Sequence, residues 1–146
     1  MLSDPDGHAR GRAAQKLINL KDRRATPLLA AALESDDQGT RQLAARILGE
    51  CEDPSAADAL IAVLRNPNDE IASEAAQALG TLKVAAAAEV LIDAMSARHP
   101  ATRSVAAWAL GQINAVQAIG VLEAALEDRA GPVRDQAKAA LAVIKR

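Results

Sequence analysis

Few side chains in this sequence could do chemistry, and their spacing limits what each could do. Cys51 is the one thiol, and His8 and His99 are the two imidazoles. A thiol beside a general base makes a nucleophile, and histidines clustered with carboxylates hold a metal. Cys51 shares its place in a 31-residue register with Leu20, Leu82, Ile113 and Ile144, so it is expected in the core. Met95 falls in line with Leu33, Leu64 and Leu126 and is read in the same way. His8 and His99 sit at turns and lie three repeats apart, too far to share an ion. Gly49, Gly80 and Gly111 are spread one per 31 residues, whereas a phosphate-cradling loop needs its glycines clustered. They suit close helix packing instead, with Ile18 and Ala142 at the same place in the end units. With no nucleophile–base pair, paired acids, metal cluster or cofactor loop in view, no catalytic residue, metal or cofactor is expected.

The elements that must position these residues form a repeat. Ala13-Ala14 returns as Ala44-Ala45, Ala75-Ala76 and Ala106-Ala107, and in part as Ala137-Lys138, each 31 residues on. Leu17, Leu48, Leu79, Leu110 and Leu141 keep that register, as do Arg10, Arg41, Arg103 and Arg134. Within a unit, Ala44, Ile47, Leu48 and Cys51 mark one helical face, and Ala56, Ala59, Leu60, Val63 and Leu64 another. Asp36-Asp37-Gln38-Gly39, Asn66-Pro67-Asn68-Asp69 and Asp128-Arg129-Ala130-Gly131-Pro132 supply turns and caps between units, and Asp53-Pro54-Ser55 does so within one. Helices of about 11 to 13 residues are marginal alone, so stability must come from stacking. The expected fold is all-α: an α-solenoid, or superhelix, of stacked antiparallel helix pairs with about nine helices. Its expected division is a half unit at 1–21 followed by units at 22–52, 53–83, 84–114 and 115–146.

Composition agrees. The chain has 146 residues, 50% hydrophobic and 25% charged, with a net charge of −2. Alanine occurs 36 times, while Phe and Tyr are absent and Trp108 is the single Trp. Alanine is the best helix former and β-domains favour aromatic and β-branched residues, which argues against an all-β fold. One aromatic is too few for a nucleic-acid stacking platform, and the near-neutral charge gives no general pull on nucleic acid or anionic lipid. One cysteine rules out an intramolecular disulfide framework. No apolar run approaches the ~18 residues of a membrane span, and the start lacks the regions of a secretory signal. A cytoplasmic protein, without nucleic-acid or membrane partners, is the expectation.

The segments Thr40-Arg41-Gln42-Leu43-Ala44-Ala45-Arg46-Ile47-Leu48-Gly49 and Thr102-Arg103-Ser104-Val105-Ala106-Ala107-Trp108-Ala109-Leu110-Gly111 resemble the V-R-x-x-A-A-x-x-L-G helix of short HEAT-like repeats. That subtype occurs in phycocyanobilin lyase subunits and in many bacterial scaffold proteins. Asp128 to Ala142 is similar to its turn and helix start. Ala72 departs from the pattern by replacing the arginine of the third unit, where the arginine row should be interrupted. Deoxyhypusine hydroxylase, of the same repeat family, binds iron through paired His-Glu motifs. Here His8 precedes Ala9 and His99 precedes Pro100, so neither motif exists. HEAT-like DNA glycosylases use a strongly basic concave surface, whereas the equivalent rows here include Glu50, Glu74 and Asp135. The basic start, with Arg10, Arg12, Lys16, Lys21, Arg23 and Arg24 against Asp4, Asp6 and Asp22, is read as a solvated end.

The resemblance implies that the V-R-x-x-A-A helices line a concave face. Helical geometry turns the rows beginning at 11, 15 and 19 away from the core. On them stand Gln15, Gln42, Arg46, Ser73, Gln77, Ser104, Trp108 and Gln112, polar and weakly charged. Trp and Arg dominate interface hot spots within near-neutral polar surroundings, so Trp108 and Arg46 are candidate anchors for a protein or peptide. Trp108 could instead fold over a neighbouring helix. The expected function is a non-enzymatic interaction or scaffold module; the alternative, implied by the repeat subtype, is a bilin lyase-type chaperone or enzyme subunit. Solenoid ends need polar caps, and Lys138 reads as one; the N-terminal end is less clearly finished, so a monomer or weak homodimer through the ends is expected.

Overall fold

The structure, a computed structural model, describes residues 7–20 and 22–146, with backbone alone at 7–11 and 14. His8, Arg10, Gly11, Ala14, Lys21 and the acidic pair Asp4 and Asp6 therefore lie outside the described side chains. The described residues form nine α-helices and no strand. The odd-numbered ones are α1 (Gly7–Leu20), α3 (Gln38–Glu50), α5 (Ala72–Thr81), α7 (Pro100–Gln112) and α9 (Gly131–Ile144). Between them run the even-numbered α2 (Thr26–Ala32), α4 (Ala57–Leu64), α6 (Ala88–Ala94) and α8 (Ile119–Ala125). Each even helix packs against the odd helix that follows it, giving the two-layered α-solenoid that the 31-residue register implies.

The core lies between the layers. Leu48, Leu79 and Leu110 of the odd helices and Leu60, Leu91 and Leu122 of the even ones are fully buried, and Ala44, Ala75, Ala106 and Ala137 close the gaps. From α3 to α9 the odd helices pack closely along one another, while successive even helices barely touch. The reason is glycine. A Cβ on Gly49 would stand 2.9 Å from the Cα of Ala78, and one on Gly111 would stand 3.0 Å from the Cα of Ala140. Only a residue without a side chain lets the backbones approach so far.

Turn chemistry fixes where each helix starts. Asp37 caps α3 by accepting the Thr40 amide at 2.7 Å, and Pro132 sits in the first turn of α9. The even segments are shorter α-helices than their periodicity predicts, only seven or eight residues. Each opens instead with a three-residue 3₁₀ turn, as at Pro54–Ala56, and those before α4, α6 and α8 carry a buried alanine (Ala56, Ala87 and Ala118) into the core. Helices α3, α5 and α7 are each followed by a residue with positive φ: Glu52, Lys83 and Asn114 at 55°, 52° and 53°. At the latter two the next amide reaches back to a helix carbonyl, Val84 to Leu79 and Ala115 to Leu110, as in a Schellman cap.

The arginine row is a ladder of charge-assisted hydrogen bonds. Arg41, Arg103 and Arg134 each donate to the carbonyl six residues upstream: Ser35, Ala97 and Asp128, at 2.8, 2.8 and 2.7 Å. Arg103 also grips the Asp128 carboxylate of the next unit through two bonds of 2.8 and 2.9 Å. That guanidinium, helped by the Ala130 amide, holds the Asp128 carboxyl below its usual range. Ala72 breaks the ladder as expected, and α5 starts late, without a side-chain cap.

The register misleads at the ends. Cys51 is buried, its thiol 3.7 Å from the Leu17 carbonyl of the preceding odd helix. Leu20, expected in the core on the same row, is 61% exposed, because no described helix precedes α1 to cover it. Leu126, expected in the core with Met95, is also exposed; Met95 itself is buried.

Candidate interaction face

The outward rows of the odd helices lie side by side on one face of the stack. Gln15, Arg46, Gln77 and Gln112 are exposed there, and Gln42, Ser73, Ser104 and Trp108 are half-buried. Two clefts cut this face. One, of about 150 Å³, runs between α3 and α5 and is lined by Arg46, Glu50, Glu74, Gln77 and Thr81 over Gly49 and Ala78. The other, of about 190 Å³, lies where Gln77, Ser104, Val105, Trp108 and Gln136 converge from α5, α7 and α9. Gln77 belongs to both, so the clefts adjoin.

Trp108 is held from below. Its ring edge covers Gly80, where an added Cβ would stand 2.6 Å from Cζ3. The indole thus packs on the neighbouring helix and still shows part of itself to solvent. Ser104 donates to the Pro132 carbonyl at 3.3 Å, tying α7 to α9. Arg46 and Glu50 are 3.9 Å apart and mostly exposed, a loose pair one helical turn long. Ser73 donates to Glu74 at 2.9 Å, and Gln15 to Asn19 at 2.9 Å. Gln15, Gln42, Ser73 and Gln112 line neither cleft.

Val105 and Gln136, which line the second cleft, escape a reading confined to the rows beginning at 11, 15 and 19. They stand one residue further on, in the register of Leu43 and Glu74. Packing tilts that row to the rim of the groove instead of sealing it between helices. No group of three or more His, Cys, Asp or Glu among the described residues could hold a metal ion. No described helix is long and apolar enough to cross a membrane.

This repeated layer of stacked pairs is matched in sequence by HEAT repeats, over residues 1–78 and again over 57–142. The chain belongs to the HEAT-repeat family. Among solved structures, this HEAT-repeat chain is similar to one in the complex of CpcE and CpcF of phycocyanin lyase from Nostoc sp. PCC7120, at 29% identity and a TM-score of 0.84. The match covers 98% of this chain and 62% of that one, so the chain spans less than two thirds of its neighbour's length. An engineered protein is similar in fold, at 23% identity and a TM-score of 0.69, over 98% of this chain and 76% of that one. No curated protein matches the sequence significantly.

Proposed function

We propose that this HEAT-repeat chain is a non-enzymatic interaction module that holds a protein segment on the face formed by its odd-numbered helices. The observation that carries this reading is the pair of adjoining clefts around Gln77, with the partly exposed Trp108 ring lining one of them. Each cleft is smaller than the roughly 300–1,000 Å³ of small-molecule sites, a size that suits single side chains of a partner. The polar groups around Trp108 suit a hot spot with a hydrogen-bonding rim, with Arg46 as a second anchor. The test is capture of the partner by the wild-type chain, followed by affinity measurement. Trp108→Ala should weaken binding at least about tenfold with helicity retained. Gln77→Arg, at an exposed position that supports no core contact, should do the same by filling both clefts. Unchanged affinity in both variants would overturn the assignment.

A second reading is favoured by the likeness to the phycocyanin lyase complex. As a lyase-type subunit, the chain would meet a bilin on this face together with a second subunit. The single aromatic and the carboxylates of Glu50, Glu74 and Asp135 are a poor match for a propionate-bearing tetrapyrrole. Mixing the chain with phycocyanobilin and recording the visible spectrum decides it: absence of a spectral shift, alone and with a partner subunit, ends this reading.

A further inference from the structure

The charges on the same face are unequal. On the outward rows and cleft rims of α3, α5, α7 and α9 stand Glu50, Glu74 and Asp135 against Arg46 alone. Of the other exposed cations, Arg12 and Lys16 belong to α1, and Lys138 stands on α9 in the core register of Ala45, Ala76 and Ala107, at the C-terminal end of the stack. Lys16 shares the register of Ala78 and Ala140, which receive the glycines of the preceding helix, so it faces the N-terminal end of the stack and not the groove. Arg103 and Arg134 are engaged with turn carbonyls at the edge of the molecule.

Glu50 and Glu74 line opposite sides of one cleft, and Arg46, 3.9 Å from Glu50, offsets one of the two charges. Along α5, Glu74 and Gly80, the residue beneath the indole, are six residues apart, about 9 Å at the helical rise. Gln77 lies midway. Carboxylates along one cleft and an aromatic surface about 9 Å beyond Glu74 match the ammonium or guanidinium head and the chain of a basic residue, the head drawn to the carboxylates and the stem to the ring.

We propose that the groove selects a protein segment carrying lysine or arginine, with its cationic head between Glu50 and Glu74 and its chain across Trp108. This rests on the interaction-face reading and adds the chemistry of the partner. Acidic side chains would meet net negative charge, and an uncharged segment would leave Glu74 without an opposite charge.

Trp108 reports on the groove directly, since the chain has no other Trp and no Tyr or Phe. Ten-residue peptides rich in Lys and Arg, in Glu, or in Ser and Gln are titrated into the full chain while Trp108 emission is followed. Saturable binding of the basic peptide is expected, weakening as salt rises from about 50 to 200 mM. Glu74→Gln and Glu50→Gln should each weaken it about threefold, while Glu127→Gln, away from the groove, should not. Equal effects of all three substitutions would reduce the binding to diffuse attraction and overturn the proposal. Preferred binding of the acidic or neutral peptide overturns it too, yet leaves the interaction face standing. No response of Trp108 to any peptide counts against the basic-segment proposal, and the captured partner's sensitivity to Gln77→Arg then judges the face independently.

Discussion

The indole of Trp108 on α7 lies over Gly80 on α5, so close that a Cβ on Gly80 would stand 2.6 Å from Cζ3. The same ring therefore seals the seam between two helices and presents a half-exposed surface to the groove. Trp108→Ala removes both contributions. Full burial of a Trp is worth about 3–5 kcal/mol on truncation, so a half-buried one should cost about 2 kcal/mol. Urea denaturation should show that loss, far-UV circular dichroism should be unchanged, and partner affinity should fall in parallel.

The helical glycines should respond with opposite signs to one substitution. Gly49→Ala places a methyl 2.9 Å from the Ala78 backbone and must push α3 and α5 apart, at a cost of about 1–3 kcal/mol. Gly120→Ala in α8 meets nothing within 4 Å and has no positive φ, so it should stabilise by about 0.5–1 kcal/mol. Thermal melts of the two variants beside the wild type check both; a shift of the same sign in each would refute the packing argument.

Lys83 holds the left-handed conformation at the end of α5 with φ of 52°. An L-residue with a Cβ sits there at a cost of roughly 1 kcal/mol that glycine avoids. Lys83→Gly should raise the unfolding midpoint, and Lys83→Val, branched at Cβ, should lower it.

Asp53 is buried, accepts the Thr26 hydroxyl from the preceding unit, and takes the Ser55 amide at 3.1 Å. The Thr26 hydroxyl, more than any other group, draws its carboxyl below the usual range, as Arg103 does for Asp128. A depressed folded value means that the unfolded chain takes up protons first as pH falls. The stabilisation is therefore complete above the ordinary carboxylate range near pH 4 and is lost as pH drops through the folded values. Unfolding free energy should decline below about pH 4, with a shallower slope in Asp128→Asn. Thr26→Val leaves the buried carboxylate without its donor and should cost about 1–3 kcal/mol at neutral pH. Thr26→Ala with Asp53→Val copies Ala57 and Val84 of the next unit, and should recover most of that loss.

Much of this was legible in the chain. The 31-residue register placed the odd helices within about two residues, because α-helical period and turn chemistry are local. The glycine row could be read as close packing because no phosphate loop spreads its glycines so far. The missing arginine at Ala72 pointed correctly to a break in the ladder. The positive-φ row was almost invisible, since Asn114 is its one residue with a left-handed leaning and Glu52 and Lys83 have none.

Sequence by itself determined the repeat, its all-helical solenoid and the row on which each residue stands, since these follow from periodicity along one chain. Tertiary structure alone decided what each row meets. It left Leu20 bare and Cys51 covered although they share a register, because burial depends on whether a neighbouring helix is present. It joined Asp53 to Thr26 where later units carry Val84 with Ala57 and Ala115 with Ala88. It also set Trp108 over Gly80, on the wall of the second cleft, because an indole reaches across the gap that glycine and alanine make narrow.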